Sequence, residues 1–477
     1  MAENHKGRTP WRDNIEAMTG AIIMAVFLKY FIVEAYKIPT GSMQPTLMGE
    51  TYANGDGIWD RILVDKLSYH LRDPQRFEIT VFRYPLDRSK NFVKRLVGMP
   101  GEELRIQNGD LLVRKSPDQP WSIPRRSRAV MGEMWKPIEA NPARPGPNWR
   151  SITGTGWIFE GSKVGARGDG SAEFVGHGGG PIRDQYTHGY PQALQSKIVV
   201  PPQVQSGANG VGDLRCTGKI TAQTGCRAVS LTLQEGPRSY RFVLPGPEAA
   251  AETRVELVIN DEKGTRSEFG EPFRLKSDSV AKLDAQNLDD RLELRLNGKV
   301  LIETNIQPSE QQDGSVQIAV EGTGADFNDL RIFRDVYYTP GSRGSAWTIP
   351  EGNYFMLGDN TQNSSDGREW AFIHLRYLDE QGGERNVRGN WRPAVGGARL
   401  LESNPMRHAS EKGPRTWIRD EWGEMHEFSS AAERPLQPGI SQTSVHLVPR
   451  ELIVGRAVFV FWPLSPSKGV YRWKWTH

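Results

Sequence analysis

The chain has 477 residues, enough for two or three domains with cores of their own, and its 37% apolar and 25% charged residues exclude a disordered or fibrous chain. A net charge of +3 gives no reason to expect a nucleic-acid partner, and 2 cysteines exclude a disulfide scaffold or a CxxC metal site. With 50 glycines and 32 prolines, turns are frequent, and the predicted fold is mainly β.

The first predicted element is apolar. Residues 17–36, AMTGAIIMAVFLKYFIVEAY, approach the ~20 residues that span a bilayer. Lys29 and Glu34 fall toward its end, where a lysine ammonium reaches the interface. Lys6, Arg8 and Arg12 precede it, so a spanning helix would keep the N-terminus cytoplasmic and place everything after residue 36 outside. A removable signal peptide, with Val33-x-Ala35 as a loose cleavage site, and a buried core helix are the alternatives.

Short β-branched and aromatic runs follow at 58–66, 77–84 and 91–97, bounded by Gly, Pro and Asp, and read as strands. GMPGEELRIQNGDLLV adds a hairpin across its Asn-Gly-Asp turn. Residues 115–195 lose all periodicity and read as an irregular insertion rich in Trp, Pro and Gly; its PRRSRAV cluster reads as a solvated basic loop, with contact to anionic lipid as the alternative. Order returns at 196–337, where RAVSLTLQ, RSYRFVLP, TRVELVIN, DRLELRLNGKVLIETNI, GSVQIAVEG and NDLRIFRDVYY predict a two-sheet sandwich. Cys216 and Cys226, ten residues apart, close a hairpin if oxidised or stay as two buried thiols. A strand at 354–357 then runs into a polar turn, GDNTQNSSDGREW, followed by a polar second insertion at 376–446 and a final apolar strand within 447–477.

Ser42, in KIPTGSMQPTL directly after the apolar run, is a candidate nucleophile only if a base activates it. It has no G-x-S-x-G elbow, and the 9 histidines form no partner motif. A lysine serves instead when burial disfavours its charged form. Lys94 in NFVKRLV is the candidate: on a strand, Phe92, Lys94 and Leu96 share one face while Val93 and Arg95 share the other.

The residues IPTGSMQPTL, DRILVDKLSY, FEITVFRYP, NFVKRLVGMPGEEL and YFMLGDNTQNSSDGREW resemble, in order, the successive boxes of type I bacterial signal peptidases, and LIVGRAVFVFWP is similar to the final strand of that family. The resemblance covers roughly 15–115, 345–375 and the last 30 residues. It implies a twisted antiparallel β core behind one N-terminal transmembrane helix, divided here into core segments 37–114, 338–375 and 447–477. Cleavage of exported preproteins after small-x-small sequences, on the outer face of the bacterial cytoplasmic membrane and without metal or cofactor, is implied as well. By resemblance Ser42 matches the nucleophile and Lys94 the general base. Thr40 matches an oxyanion-stabilising hydroxyl and Ser364 a serine that orients the amine, with Asp359, Asp366 and Arg368 bracing them. Ile38, Met43, Val81, Phe82 and Val93 match a shallow pocket for the small side chain before the cleaved bond. Two positions depart from the family pattern: Thr361-Gln362 replaces a charged pair, and Gly367 stands where a serine is common.

The segment 196–337 resembles the concanavalin-like jelly rolls of laminin-G and glucanase type, through LRLNGKVLIE and FNDLRIFRD. Fold does not fix function. A rigid spacer that chemistry can dispense with and a glycan- or peptide-binding domain are equal readings, the second making the chain a tethered binding protein with a remnant peptidase core. A self-cleaving Ser/Lys repressor would need a DNA-binding head in place of the apolar run.

Overall fold

The structure is a computed structural model that describes residues 10–51, 57–138, 148–161, 163–175, 180–195, 200, 207–250, 252–378, 381–392, 404–410, 413–429, 434–465 and 470–477. Lys6 and Arg8, on which the predicted orientation partly rests, lie outside these residues.

The apolar run does not form one spanning helix. It divides into a helix Pro10–Phe27, a π-helical turn Leu28–Ile32 and a strand Val33–Lys37. Among the described residues no helix is long and apolar enough to cross a membrane. The reason lies at both ends: the helix opens on Arg12, Asp13 and Glu16, and its apolar sequence is cut short where Val33–Lys37 pairs antiparallel with Arg61–Asp65. Sheet pairing thus overrides a run that hydropathy reads as continuous.

The mainly β expectation holds. Around the candidate site, strands follow the order Val33–Lys37, Arg61–Asp65, Ile453–Trp462, Ile79–Tyr84, Asp87–Gly98, Asn353–Leu357, Leu447–Pro449, with Lys474–Trp475 added to Ile453–Trp462. Every pair is antiparallel. The register sets Thr80 opposite Lys94, and Met356 and Leu357 opposite Leu96 and Arg95. Chain leaving Leu357 therefore emerges beside Lys94 and Arg95, although the two strands are some 260 residues apart in sequence. The predicted hairpin is Glu102–Gln107 with Asp110–Arg114, turned through Asn108 and Gly109 at φ 52° and 95°.

The sandwich is present but begins earlier than predicted. One sheet runs Trp149–Thr153, Gly170–Phe174, Gly314–Gly322, Cys226–Glu235, Arg238–Pro245, Arg254–Asp261, Gly264–Pro272. The other runs Trp157–Glu160, Lys163–Ala166, Ala325–Arg334, Leu214–Ala222, Val280–Leu288, Arg291–Leu296, Lys299–Asn305, with Lys136–Ile138 joining through Ala325–Arg334. One apolar cluster fills the space between them, from Trp149 and Val164 to Leu231, Leu294 and Phe327. Four strands within 149–174, in the stretch read as irregular, thus belong to the sandwich. Cys216 and Cys226 are free and buried.

Candidate active site

Ser42 sits in the 3-10 turn Gly41–Met43, entered from an extended Thr40 at φ −131°, ψ 157°. Prolines at 39 and 45 bracket this turn, and a proline holds the residue before it extended. Pointing Ser42 outward sends Met43 inward, where it is 0% exposed in a cluster with Ile38, Leu47, Ile62 and Val81. Thr40 lies exposed at the mouth, and its hydroxyl makes no capping bond to the turn.

Lys94 Nζ is in direct hydrogen-bond contact with Ser42 Oγ. The lysine is 2% exposed, and that burial lowers its amine from an ordinary 10.5 to about 8. Asp366 and Asp359 work to raise it while Arg368 lowers it further, so desolvation is only partly offset. The predicted alternation is visible in the packing: Leu96 and Phe92 join one cluster and Val93 another.

The loop after Leu357 closes over this pair. Asp366 takes a two-pronged bond from Arg368, with Nε to Oδ1 and Nη2 to Oδ2 both 2.8 Å, and accepts the Gly358 N–H at 3.1 Å. Burial pushes the Asp366 carboxyl up, but the guanidinium beside it leaves a net lowering. Arg368 also donates to the carbonyls of Thr339 and Thr361, which ties the loop down. Asp359 is held by Arg95 rather than by loop residues, at 2.8 and 2.7 Å, and accepts from Thr46 Oγ1. Against burial, this pairing keeps its carboxyl low. The Lys136 ammonium group reaches the Asp359 carbonyl at 2.9 Å, and burial brings its amine down to about 7.

Ser364 departs from expectation. Its Oγ is buried without a hydrogen-bond partner and makes no bond to Lys94. It faces Gly358 so closely that a β-carbon there would stand 2.2 Å away. Gly367 has a packing reason as well, since a β-carbon would come 2.6 Å from the His446 carbonyl oxygen.

Ser42 and Lys94 open onto a cleft of about 660 Å³ lined also by Ile38, Thr40, Val81 and Val93. Met43 and Phe82, predicted as pocket residues, do not line it. Phe82 is 0% exposed, on the opposite face of its strand from Val81, with ring centroids 6.0 Å from Trp370 and 6.4 Å from Phe92. Tyr36, Tyr84, Phe92 and Trp370 add aromatic lining, and Asn390, Trp391 and Arg392 arrive from the second insertion. Arg95, Thr46, Asn360 and Lys136 escaped sequence reasoning. Of these only Arg95, a charge within an apolar strand, carried a local signal.

The family model of signal peptidase, peptidase S26, matches residues 11–136 and 288–381. A probable signal peptidase I-2 of Synechocystis is 40% identical over 109 residues, 22% of this chain and 45% of that protein. Signal peptidase I of Pseudomonas fluorescens is 40% identical over 96 residues, 18% of this chain and 31% of that protein, and that of Leptolyngbya laminosa is 29% identical over 153 residues, 28% of this chain and 70% of that protein. The matched stretch thus spans less than two thirds of the first two relatives' own length. Among solved structures, carbohydrate-binding module CBM66 from Bacillus subtilis is 14% identical, covering 39% of this chain and 95% of that one at a TM-score of 0.26, a likeness too slight to carry an argument. Over residues 11–136 and 288–381 the chain is thus similar to the S26 signal peptidase family.

Proposed function

We propose that this protein is a serine endopeptidase that removes N-terminal signal peptides from exported preproteins after small-x-small sites. The observation that carries the reading is the contact of Lys94 Nζ with Ser42 Oγ inside a pocket that lowers the amine to about 8. Neutral Lys94 accepts the hydroxyl proton as Ser42 Oγ attacks the scissile carbonyl. The developing oxyanion meets the Ser42 N–H and the Thr40 hydroxyl, donors of a kind each worth ~3 kcal/mol in a preorganised site. Protonated Lys94 then gives its proton to the leaving amine, freeing the mature protein's N-terminus. Water, deprotonated by the same lysine, hydrolyses the acyl ester and restores Ser42.

Each remaining group has a role to match. Asp366 and Arg368 hold the loop against Lys94, and Asp359 with Arg95 fixes that loop to the lysine's own strand. Ser364, unpartnered and next to the Ser42 backbone, is available to orient the amine once substrate closes the cleft. Ile38, Val81 and Val93 suit a small apolar side chain before the cleaved bond. The catalytic unit is then 37–114 with 338–375 and the last strand, and the sandwich is carried within it.

Membrane attachment by the segment around 17–36 is supported by the apolar side chains Met18, Ile22, Ile23, Met24, Val26, Phe27 and Phe31, all exposed. Exposed Trp462, Trp473 and Trp475 fit a membrane–water interface. On this reading the helix and π-helical turn enter the bilayer, and the cleft works at the outer face of the bacterial cytoplasmic membrane. A glycan or peptide ligand for the sandwich stays an open proposal. The test is cleavage of a preprotein bearing an Ala-x-Ala site by the full chain. Conversion by wild type and none by Ser42→Ala is expected; conversion by both would sink the assignment.

A further inference from the structure

We propose that Tyr186, in the first insertion, is a positioning residue for Ser42; this rests on the reading of Ser42 as the nucleophile. Its hydroxyl accepts from Asn360 Nδ2 at 3.0 Å and from Asn363 Nδ2 at 3.1 Å. The same Asn360 amide donates to the Gly41 carbonyl at 3.0 Å, and the Asn360 backbone N–H donates to the Ser42 carbonyl at 3.2 Å. A carbonyl only accepts, so the edge of Asn360 that faces Gly41 is its NH2 group, and both of its hydrogens are committed. Removing the Tyr186 oxygen frees one of them and lets the amide turn away from the nucleophile's turn.

Tyr186 is itself held from behind. Asp184 N–H donates to the Asn209 carbonyl, and its carboxylate accepts the Asn209 side-chain amide at 2.9 Å. Ile182 bridges Gly314, and buried Arg334 donates to His188 Nδ1 and to the Gln185 carbonyl, both at 2.9 Å. The segment 182–190 is thus a strap pinned to the sandwich on one side and to the active-site loop on the other. Gln362, standing where the family pattern has a charge, donates to the Asp184 carbonyl at 2.7 Å and completes the join. Deleting 196–337 would remove Asn209, Gly314 and Arg334 together, so the expectation that the sandwich is dispensable gives way to a scaffolding role.

Tyr186→Phe in the full chain is the test, because the ring stays packed against Met48, Ile58, Tyr190 and Leu194. We expect kcat on an Ala-x-Ala preprotein to fall about tenfold with KM unchanged, since the hydrogen bonds from Asn360 and Asn363 are lost while the ring stays in place. Asn360→Ala should lose as much, and Tyr186→Phe added to it nothing more, as two members of one path require. Wild-type kcat in Tyr186→Phe beside an inert Ser42→Ala would overturn the positioning role alone, as would losses that simply multiply in the double variant. Cleavage surviving in Ser42→Ala would overturn the reading beneath it.

Discussion

Gly358 passes so close to Ser42 that a β-carbon on it would lie 2.4 Å from the serine's carbonyl oxygen and 2.2 Å from Ser364 Oγ. The first of these is backbone and cannot swing aside. Gly358→Ala should therefore push the active-site loop off the nucleophile's turn. We expect preprotein cleavage to fall at least a hundredfold while the sandwich stays folded, measurable by kcat/KM beside circular dichroism; an alanine variant with wild-type kcat/KM would show that the loop yields.

Arg95 and Asp359 form a buried pair, both 0% exposed, joining the base's strand to the loop. Removing one partner strands the other charge away from water, which costs about 3–5 kcal/mol. Asp359→Asn should lower the denaturant midpoint accordingly, with Glu133, 3.3 Å from Arg95, compensating in part. An unchanged midpoint would mean that the pair does not hold the loop.

The pH dependence follows from Lys94. With an amine at about 8, only about a tenth of free enzyme holds neutral lysine at pH 7. The ratio kcat/KM should climb tenfold per pH unit below 8 and level off above it. A profile flat from pH 6.5 to 9 would exclude a base of that character.

The same shift bears on stability. The folded amine sits at about 8 and the unfolded one near 10.5, so between these values the unfolded chain binds the extra proton and stability rises with pH. Below pH 8 both states are charged, and folding carries the whole cost of the buried ammonium, about 3 kcal/mol. Lys94→Met should therefore be inactive yet more stable than wild type at pH 7 by roughly that amount. The gap should close as pH approaches 10.5. Equal unfolding midpoints at both pH values would show that the amine is not strained by burial.

The peptidase elements were legible because each is local: β-branched and aromatic runs mark Ile79–Tyr84 and the second half of Asp87–Gly98, and Asn108-Gly109 marks a hairpin turn. Lys94 was legible as a base only in company with Ser42, whose partner lies 52 residues away. What escaped depends on distant partners. Gly170–Phe174 is too short to show alternation and gains its identity from Gly314–Gly322, on which it pairs. Arg95 meets Asp359 across 264 residues, and Tyr186 meets Asn360 across 174. The apolar run misled for the opposite reason: its last residues obey pairing with Arg61–Asp65, not their own hydropathy. Met43 and Phe82 were assigned to the cleft from the family pattern, while the turn and the strand send both side chains into the core.

The most direct measurement is the rate at which Lys94→Ala cleaves an Ala-x-Ala preprotein under conditions where wild type turns it over. With Ser42 left in place and its base removed, we expect no cleavage above that of Ser42→Ala at any pH from 6 to 10. Cleavage by Lys94→Ala at the wild-type rate would contradict the assignment of Lys94 as the base.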